Sequence, residues 1–512
     1  MNNPLQYQHK KEEKALVIGA GIAGLLTARV LSSYFEEVIV VEKDELPQKP
    51  SSRPGTPQDF HPHRVLPRGD IIMNRFFPGY INDLLTQGAH NIKNDKISRF
   101  SPHGTLELVI EQKGAASSRA LLEWTIRQRV QEIPNVRFLS KQEVIGLQTS
   151  ADQSQVTGVH IKERSEQKQE RTVAADLVVD TSGRSSKLIK WLEFMGLDMP
   201  ESERLKVRFG YSTRHYRVPP HIKEKWSATS EGDPAKNIGA VGVLHIEENI
   251  AQTLLFSAGG THYPPTDPED YEKELDALAP PTIKQFIKKL EPLGSPRGFR
   301  AQESTRQHFE QMENWPSGLL VLGDAFCNFD PIYGQGMTVA AIEAEMLDTC
   351  LKEHSSHQPG FERDVLQRMQ QAIEPAWWLS SIADLRWEGV EHVGAVPLKG
   401  VTFAQKYFDL YLKQATKRAK EDNDFSMYQQ YIGMNGLVHS PRKIINPHML
   451  SLLITGDESL EEKQLLAELG EVDETQVQER LDELTPSFTL AFNEEVPDLF
   501  SSGSNSNRRT GV

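Results

Sequence analysis

The chain has 512 residues, 38% of them apolar and 25% charged, which excludes a single small module and a disordered or collagen-like chain and predicts two or three domains. The 57 Lys and Arg against 71 Asp and Glu give a net charge of -14, which argues against a nucleic-acid partner. The two cysteines, Cys327 and Cys350, cannot build a disulfide framework or a four-thiolate zinc site, so a reducing, cytoplasmic setting is expected.

Near the start, Lys10, Lys11 and Lys14 precede an apolar run from Ala15 to Leu31. Three glycines and Arg29 interrupt that run, so it reads neither as a secretion signal nor as a membrane span of ~20 apolar residues. Membrane contact is expected to be peripheral at most. Residues 15 to 42 instead read as strand, Gly-rich turn, helix, strand, a βαβ unit with strands at Ala15–Ile18 and Val38–Val41. Six prolines between residues 47 and 69 predict a rigid extended loop. A helix is predicted at Arg119–Val130. Strand-like alternation at 155–163, 206–217, 238–247 and 252–257 predicts a second, mostly antiparallel sheet. The pattern returns to helix at Gly336–Leu351 and stays helical beyond 360. There Phe403, Tyr407 and Tyr411 fall at i, i+4 and i+8, a stripe that reads as core. Between Asp457 and Glu483 lie eleven Asp or Glu and two Lys or Arg, a polar helix pair poorly suited to an anionic lipid surface. A Ser-, Asn- and Gly-rich tail from 501 to 512 is expected to be disordered.

The βαβ turn reads Gly19-Ala20-Gly21-Ile22-Ala23-Gly24. Gly19 permits the tight turn, Gly21 lets backbone approach a pyrophosphate and Gly24 lets helix and strand pack closely. The phosphates would meet the positive helix start. Glu42, 23 residues beyond Gly19 at the end of the next strand, suits an adenosine ribose and would repel a ribose phosphate, favouring FAD or NAD over NADP. Some three hundred residues later a buried strand, Gly318–Leu322, runs into Gly323-Asp324, and Pro331-Ile332-Tyr333-Gly334-Gln335-Gly336-Met337 opens a helix. Asp324 could bind a ribityl hydroxyl, and the helix start offers N–H groups to a flavin's pyrimidine oxygen.

With these motifs and the Asp-Gly-like stretch from Ala175 to Ser186, the sequence resembles the single-component flavoprotein monooxygenases of the para-hydroxybenzoate hydroxylase type over most of its first 350 residues. Thr181-Ser182 separate Asp180 from Gly183 where many members have Asp next to Gly, which weakens the expectation of reduction by NAD(P)H. The loop from Arg53 to His63 (RPGTPQDFHPH), with Ser118–Glu123 and Trp315–Gly318, is similar to bacterial polyether-pathway flavin epoxidases, relatives of squalene monooxygenase. The resemblance implies an α/β fold. It comprises a Rossmann-like FAD-binding domain (1–200 and 301–360), a mostly antiparallel substrate domain (201–300) and a helical C-terminal region (361–500). It places Arg53 and Arg119 along the flavin, where a guanidinium suits a pyrophosphate or an anionic ring, and makes Arg53 and His63 the candidates nearest the chemistry. His61 and His63 lack a further ligand cluster, so no metal is expected.

The implied activity is an FAD-dependent monooxygenase. A flavin C4a-hydroperoxide would epoxidise or hydroxylate an apolar polyene, isoprenoid or polyketide-like molecule with molecular oxygen. Electrons would come from NAD(P)H, in transient contact or through a separate flavin reductase. The absence of an obvious acid–base pair leans toward epoxidation, and Phe209, Tyr211, Tyr216 and Phe256 are candidate pocket residues, with core packing the competing role for each. Cys327 reads as a small buried apolar residue. A flavin-dependent reductase or dehydrogenase would use the same FAD motifs, and a non-enzymatic FAD-fold binding protein is a further alternative. A halogenase lacks support because no WxWxIP pattern occurs among the seven tryptophans.

Overall fold

The computed structural model describes residues 12–502 except 166–167, 223–225, 457–458, 472 and 493–499. The first strand, Glu12–Ile18, lies at the centre of a five-stranded sheet in the spatial order 319–321, 177–180, 12–18, 35–42, 136–140. All four pairings are parallel. Parallel strands covered on both faces read as continuous apolar runs, and Ala15, Leu16, Val17 and Val38 to Val40 are fully buried. The helix Ile22–Leu31 packs against the helix Gly336–Glu353, so the two ends of the cofactor motif meet although some three hundred residues separate them. A three-stranded antiparallel sheet, 142–149, 156–163 and 170–174, follows the last strand of the parallel sheet.

The second large sheet has eight strands in the order 291–301, 209–217, 250–257, 240–246, 226–230, 96–101, 104–110, 500–502. It is antiparallel except where Trp226–Ser230 runs parallel to Lys96–Ser101. Residues 96–110, from the range expected to serve the cofactor domain, therefore extend the second sheet. Its two faces enclose separate cores. One holds Tyr216, Trp226, Val243 and Leu255 under the helices Pro268–Leu278 and Pro281–Ile287. The other holds Phe209, Tyr211, Phe256 and Trp387. Alternation along a strand produces this division: residues 209 and 211 share a face and residue 216 takes the opposite one.

Beyond residue 360 the chain is mostly helical, with main helices Phe361–Asp384, Val401–Glu421, Ser426–Asn435 and Leu460–Leu469. Phe403, Tyr407 and Tyr411 are buried, and the two phenols donate to the carbonyls of Ile444 (2.6 Å) and Met427 (3.1 Å). The acidic stretch includes the helices Leu460–Leu469 and Val477–Leu484, which bury Leu465, Leu469 and Leu481. Pro67 is not part of the extended loop but the first residue of the helix Pro67–Phe76, a position where its missing N–H costs nothing. Ser501 and Ser502, expected to begin a disordered tail, continue the strand Phe500–Ser502 against Gly104–Ile110. Residues 503–512 lie outside the described residues. No described helix is long and apolar enough to cross a membrane.

Candidate active site

The strand–turn–helix at residues 12–31 builds the first wall of the site. Gly19 adopts φ +101°, and a Cβ at Gly24 would stand 2.0 Å from the Gly19 carbonyl oxygen. Only glycine permits both the left-handed turn and that approach. Gly21 differs: a Cβ there would meet nothing nearer than Nη2 of Arg119 at 3.9 Å, because Gly21 borders a cavity. The helix start carries no side-chain cap, leaving its first N–H groups to a ligand.

Glu42 closes this turn. Its carboxylate accepts from the N–H of Ala20 (2.8 Å) and of Asp44 (2.9 Å). A carboxylate offers about four acceptor positions, so these bonds leave capacity for a further donor. Arg53 bridges the Pro-rich loop to this strand and to the helix Arg119–Gln131, contacting Glu123 (2.8 Å), Asp44 (3.0 Å) and Glu42 (3.3 Å). Burial opposes its charge, but the surrounding carboxylates outweigh that and raise its pKa. Arg119 donates to Glu123 at 2.8 Å while its other terminal nitrogen stands beside Gly21. The structure therefore gives the two arginines different surroundings: three carboxylates meet the charge of Arg53, whereas Arg119 flanks the turn.

The opposite wall comes from residues 323–337. Asp324 lies 3.7 Å from Arg184, and its Oδ1 is 3.7 Å from the position of a Cβ on Gly336, at the start of the helix. Burial raises its pKa, partly offset by Arg184 and Arg119. Asp180, in the Asp-Gly-like stretch, is instead consumed by the fold. It is fully buried and accepts from the Ser182 N–H (2.9 Å) and the Ser186 hydroxyl (2.5 Å). The neighbouring Ser182, Gly183 and Arg184 reach the cavity.

Glycines 19 and 21, Ile22, Ala23, Glu42, Arg53, Arg119, Asp324, Pro331, Gly334, Gln335, Gly336 and Met337 all line one cavity of about 1770 Å³, together with His61 and His63. Gly24 lies behind it, in the packing of helix on strand. A single small-molecule pocket occupies ~300–1,000 Å³, so this volume accommodates a dinucleotide and a second molecule. The free turn at Gly21, the uncapped helix start and the acid at each wall fit a dinucleotide.

The same cavity continues across the eight-stranded sheet, where Tyr211, Leu254, Phe256 and Phe299 line it. Tyr211 and Phe256, candidates for either role, thus border the cavity and pack in the core. Phe209 is packed behind them, stacked on Tyr211 at 6.2 Å. Tyr216 points into the other core and donates to Glu272 at 2.6 Å, so it is not a pocket residue; its odd spacing from Phe209 and Tyr211 puts it on the opposite face. Cys327 is buried, and burial raises its thiol pKa well above the ordinary value.

His63 bonds through Nδ1 to the carbonyl of His61 at 2.8 Å. A carbonyl can only accept, so Nδ1 carries the proton and Nε2 keeps its lone pair. Burial and then the charge of Arg119 lower its pKa to about 4. Burial likewise lowers His61 to about 3, and its ring bonds to the Thr213 hydroxyl at 2.9 Å. Among the described residues no group of three or more His, Cys, Asp or Glu is placed to hold a metal.

Sequence reasoning did not find the third wall. Leu379, Arg386, Trp387, Phe408, Leu412 and Tyr431 from the C-terminal helices also line the cavity. Phe408 and Leu412 lie at i and i+4, immediately beside the core stripe that the periodicity revealed, and an apolar pair facing a cavity has the same pattern as one facing core.

No family model matches the chain. Protein Rv3254 of Mycobacterium tuberculosis is 30% identical over 397 residues, covering 76% of this chain and 82% of that protein. The FAD-dependent monooxygenase fsr3 of Gibberella fujikuroi is 27% identical over 189 residues, 35% of this chain and 36% of that protein. Among solved structures, a flavoprotein/dehydrogenase from Cytophaga hutchinsonii superposes with a TM-score of 0.59 at 16% identity over 87% of this chain and 100% of its own. The flavin-dependent brominase Bmp2 superposes with a TM-score of 0.57 at 15% identity, over 82% and 92% respectively. PqsL of Pseudomonas aeruginosa, in complex with 2-aminobenzoylacetate, gives 0.51 at 15% identity over 70% and 91%. The chain shares their fold.

Proposed function

The chain belongs to the family of protein Rv3254 of Mycobacterium tuberculosis, and we propose that it is an FAD-dependent monooxygenase inserting one oxygen atom of O2 into a largely apolar small molecule. The observation that carries this reading is the single cavity running from the three dinucleotide motifs to the Tyr211–Phe256 face of the second sheet. A cofactor and a substrate bound there would be in direct reach of each other. The sequence likeness to the FAD-dependent monooxygenase fsr3, with fold likeness to flavin-dependent enzymes such as the brominase Bmp2, supports the same class of chemistry.

In this reading the turn at Gly19–Gly24 and Arg119 hold the pyrophosphate of FAD, Glu42 its adenosine ribose and Asp324 its ribityl chain. The helix start at Gly336-Met337 meets the pyrimidine edge of the ring. FAD, once reduced, supplies the activation of dioxygen. The chain supplies position and dryness: Tyr211, Phe256, Leu412 and Trp387 exclude water and set the substrate's apolar body against the ring. His63, neutral at physiological pH, presents Nε2 as an acceptor within the cavity. Arg53 holds the loop that carries His63. The electron donor is NAD(P)H, used directly or through a separate flavin reductase. Epoxidation of an alkene, toward which the sequence leans, is the outcome this reading favours.

The test follows the flavin absorbance of FAD-loaded protein under anaerobic conditions after adding NADPH or NADH, then admits oxygen with candidate alkenes. Oxygen-dependent incorporation of one oxygen atom supports the reading. Product formed equally well without oxygen would replace it with the reductase reading. Asp324→Ala is expected to lower FAD retention about tenfold or more, since a hydrogen bond to a charged group is worth ~1.5–3 kcal/mol; full occupancy would remove Asp324 from the site.

A further inference from the structure

Two further guanidinium groups face the cavity. Arg99 projects from the strand Lys96–Ser101 of the second sheet, and Arg64 follows His63 at the end of the Pro-rich loop. Among the described residues neither makes a hydrogen bond or an ion pair. This contrasts with Arg53 and Arg119, each tied to at least one buried carboxylate. Arg64 and Arg99 also lie close enough to repel one another: burial, then the charge of Arg99, brings the Arg64 pKa down to about 10, with Asp70 acting the other way. Arg64 remains a cation at neutral pH.

Asp70 and Glu231 lie near these charges without forming an ion pair with them. Asp70 is engaged with the Tyr80 hydroxyl, and burial pushes its pKa up to about 6. Glu231, at the end of the strand Trp226–Ser230, is also raised by burial, with Arg99 opposing. Apolar and aromatic side chains line the same cavity, among them Ile97, Leu244, Phe408, Leu412, Tyr431 and Ile432. Two cations without hydrogen-bond partners, lining a chamber otherwise suited to hydrocarbon, gain from a ligand that brings an anion at one end. A planar guanidinium fork matches a carboxylate or a phosphate equally well.

We propose that Arg64 and Arg99 form an anion subsite that anchors the carboxylate or phosphate head group of an amphipathic substrate whose apolar chain extends toward Tyr211 and Phe256. The subsite fixes which part of the chain meets the oxygenating centre, because one end is pinned. This inference rests on the reading that the chamber holds an oxygenase substrate, and it narrows that substrate from an apolar molecule to an apolar molecule with one acidic end.

The experiment is calorimetric titration of the FAD-loaded protein with decanoate, decyl phosphate and decan-1-ol, each below its aggregation limit, in wild type, R64Q and R99Q. The expected result is that at least one of the two anions binds about tenfold or more tighter than the alcohol. The tighter of the two identifies the head group. Each substitution is expected to remove about tenfold of the anion's affinity, leaving decan-1-ol binding and FAD content unchanged, as for loss of a charge-assisted hydrogen bond. Equal binding of all three ligands to wild type overturns the subsite and leaves the flavin reading intact. Loss of FAD from R64Q or R99Q also overturns it, since the arginines would then serve the cofactor. Selective anion binding by a protein that never takes up FAD supports the subsite and overturns the oxygenase reading instead. The wild-type comparison needs no variant, so it decides the matter even if a substitution prevents folding.

Discussion

Gly21 and Gly24 separate function from folding within one motif. A side chain at Gly21 would enter the cavity, and its backbone, at φ -75° and ψ -178°, is one that valine adopts readily. Gly21→Val is therefore expected to leave the melting temperature within a few degrees of wild type while abolishing FAD retention. Gly24→Ala would place a methyl against the Gly19 carbonyl and is expected to cost about 3 kcal/mol of stability, as overpacking does. Thermal denaturation beside flavin content checks both; equal loss of stability in the two variants would contradict the division. At this scale the sequence was informative wherever a backbone constraint writes itself as glycine or as an acid at fixed spacing. Arg64 and Arg99 were illegible for the opposite reason. An arginine with no partner has the same sequence as one in a surface ion pair, and its meaning lies in what tertiary structure withholds from it.

Among the elements, the joint between the second half of the cofactor domain and the helix Phe361–Asp384 holds the clearest pH-sensitive contact. His308 lies 2.8 Å from Glu310 and 3.5 Å from Glu203, and Glu203 also meets His392 at 2.8 Å and Arg306 at 3.6 Å. Burial opposes protonation of His308, but the two glutamates overcome it and raise its pKa to about 9. A folded-state value above the unfolded ~6.5 stabilises the protein fully below the unfolded value, and that contribution is lost as pH rises through about 9. Unfolding free energy is thus expected to fall between pH 7 and pH 10, and His308→Gln is expected to flatten that slope. An unchanged slope in the variant would contradict the assignment. Local periodicity located three of the five parallel strands, the glycine turn and the Arg119 helix because each carries a complete short-range signal. It also allowed Tyr216 to be grouped with Phe209 and Tyr211, when counting alternate residues along the same strand separates them. The pairing of residues 96–110 with Trp226–Ser230 had no local signal, since a parallel partner more than a hundred residues away leaves no mark on either strand.

Across the whole molecule, the C-terminal helices complete the chamber instead of merely packing on the cofactor domain. Leu412→Trp is expected to fill the chamber's far end, lowering turnover about tenfold or more with FAD content unaffected; parallel loss of flavin would show that this wall also supports the cofactor. Trp387 illustrates why that role was hard to read. It packs edge-on against Phe256 at 6.0 Å and also borders the cavity, so core and pocket are served by one residue. The two ends of the candidate dinucleotide site were legible across three hundred residues of intervening chain because each end carries its own motif, whereas the rest of the cavity is assembled from ordinary apolar side chains contributed by three regions.

The account depends first on the identity of the molecule held by the glycine turn, Glu42 and Asp324. The most direct measurement is to incubate the purified chain with FAD, FMN and NAD together, remove unbound ligand, denature the protein and quantify what is released. Release of about one FAD per chain, with little FMN or NAD, is the predicted result. A chain that retains none of the three, or that retains NAD in preference to FAD, would contradict the central claim.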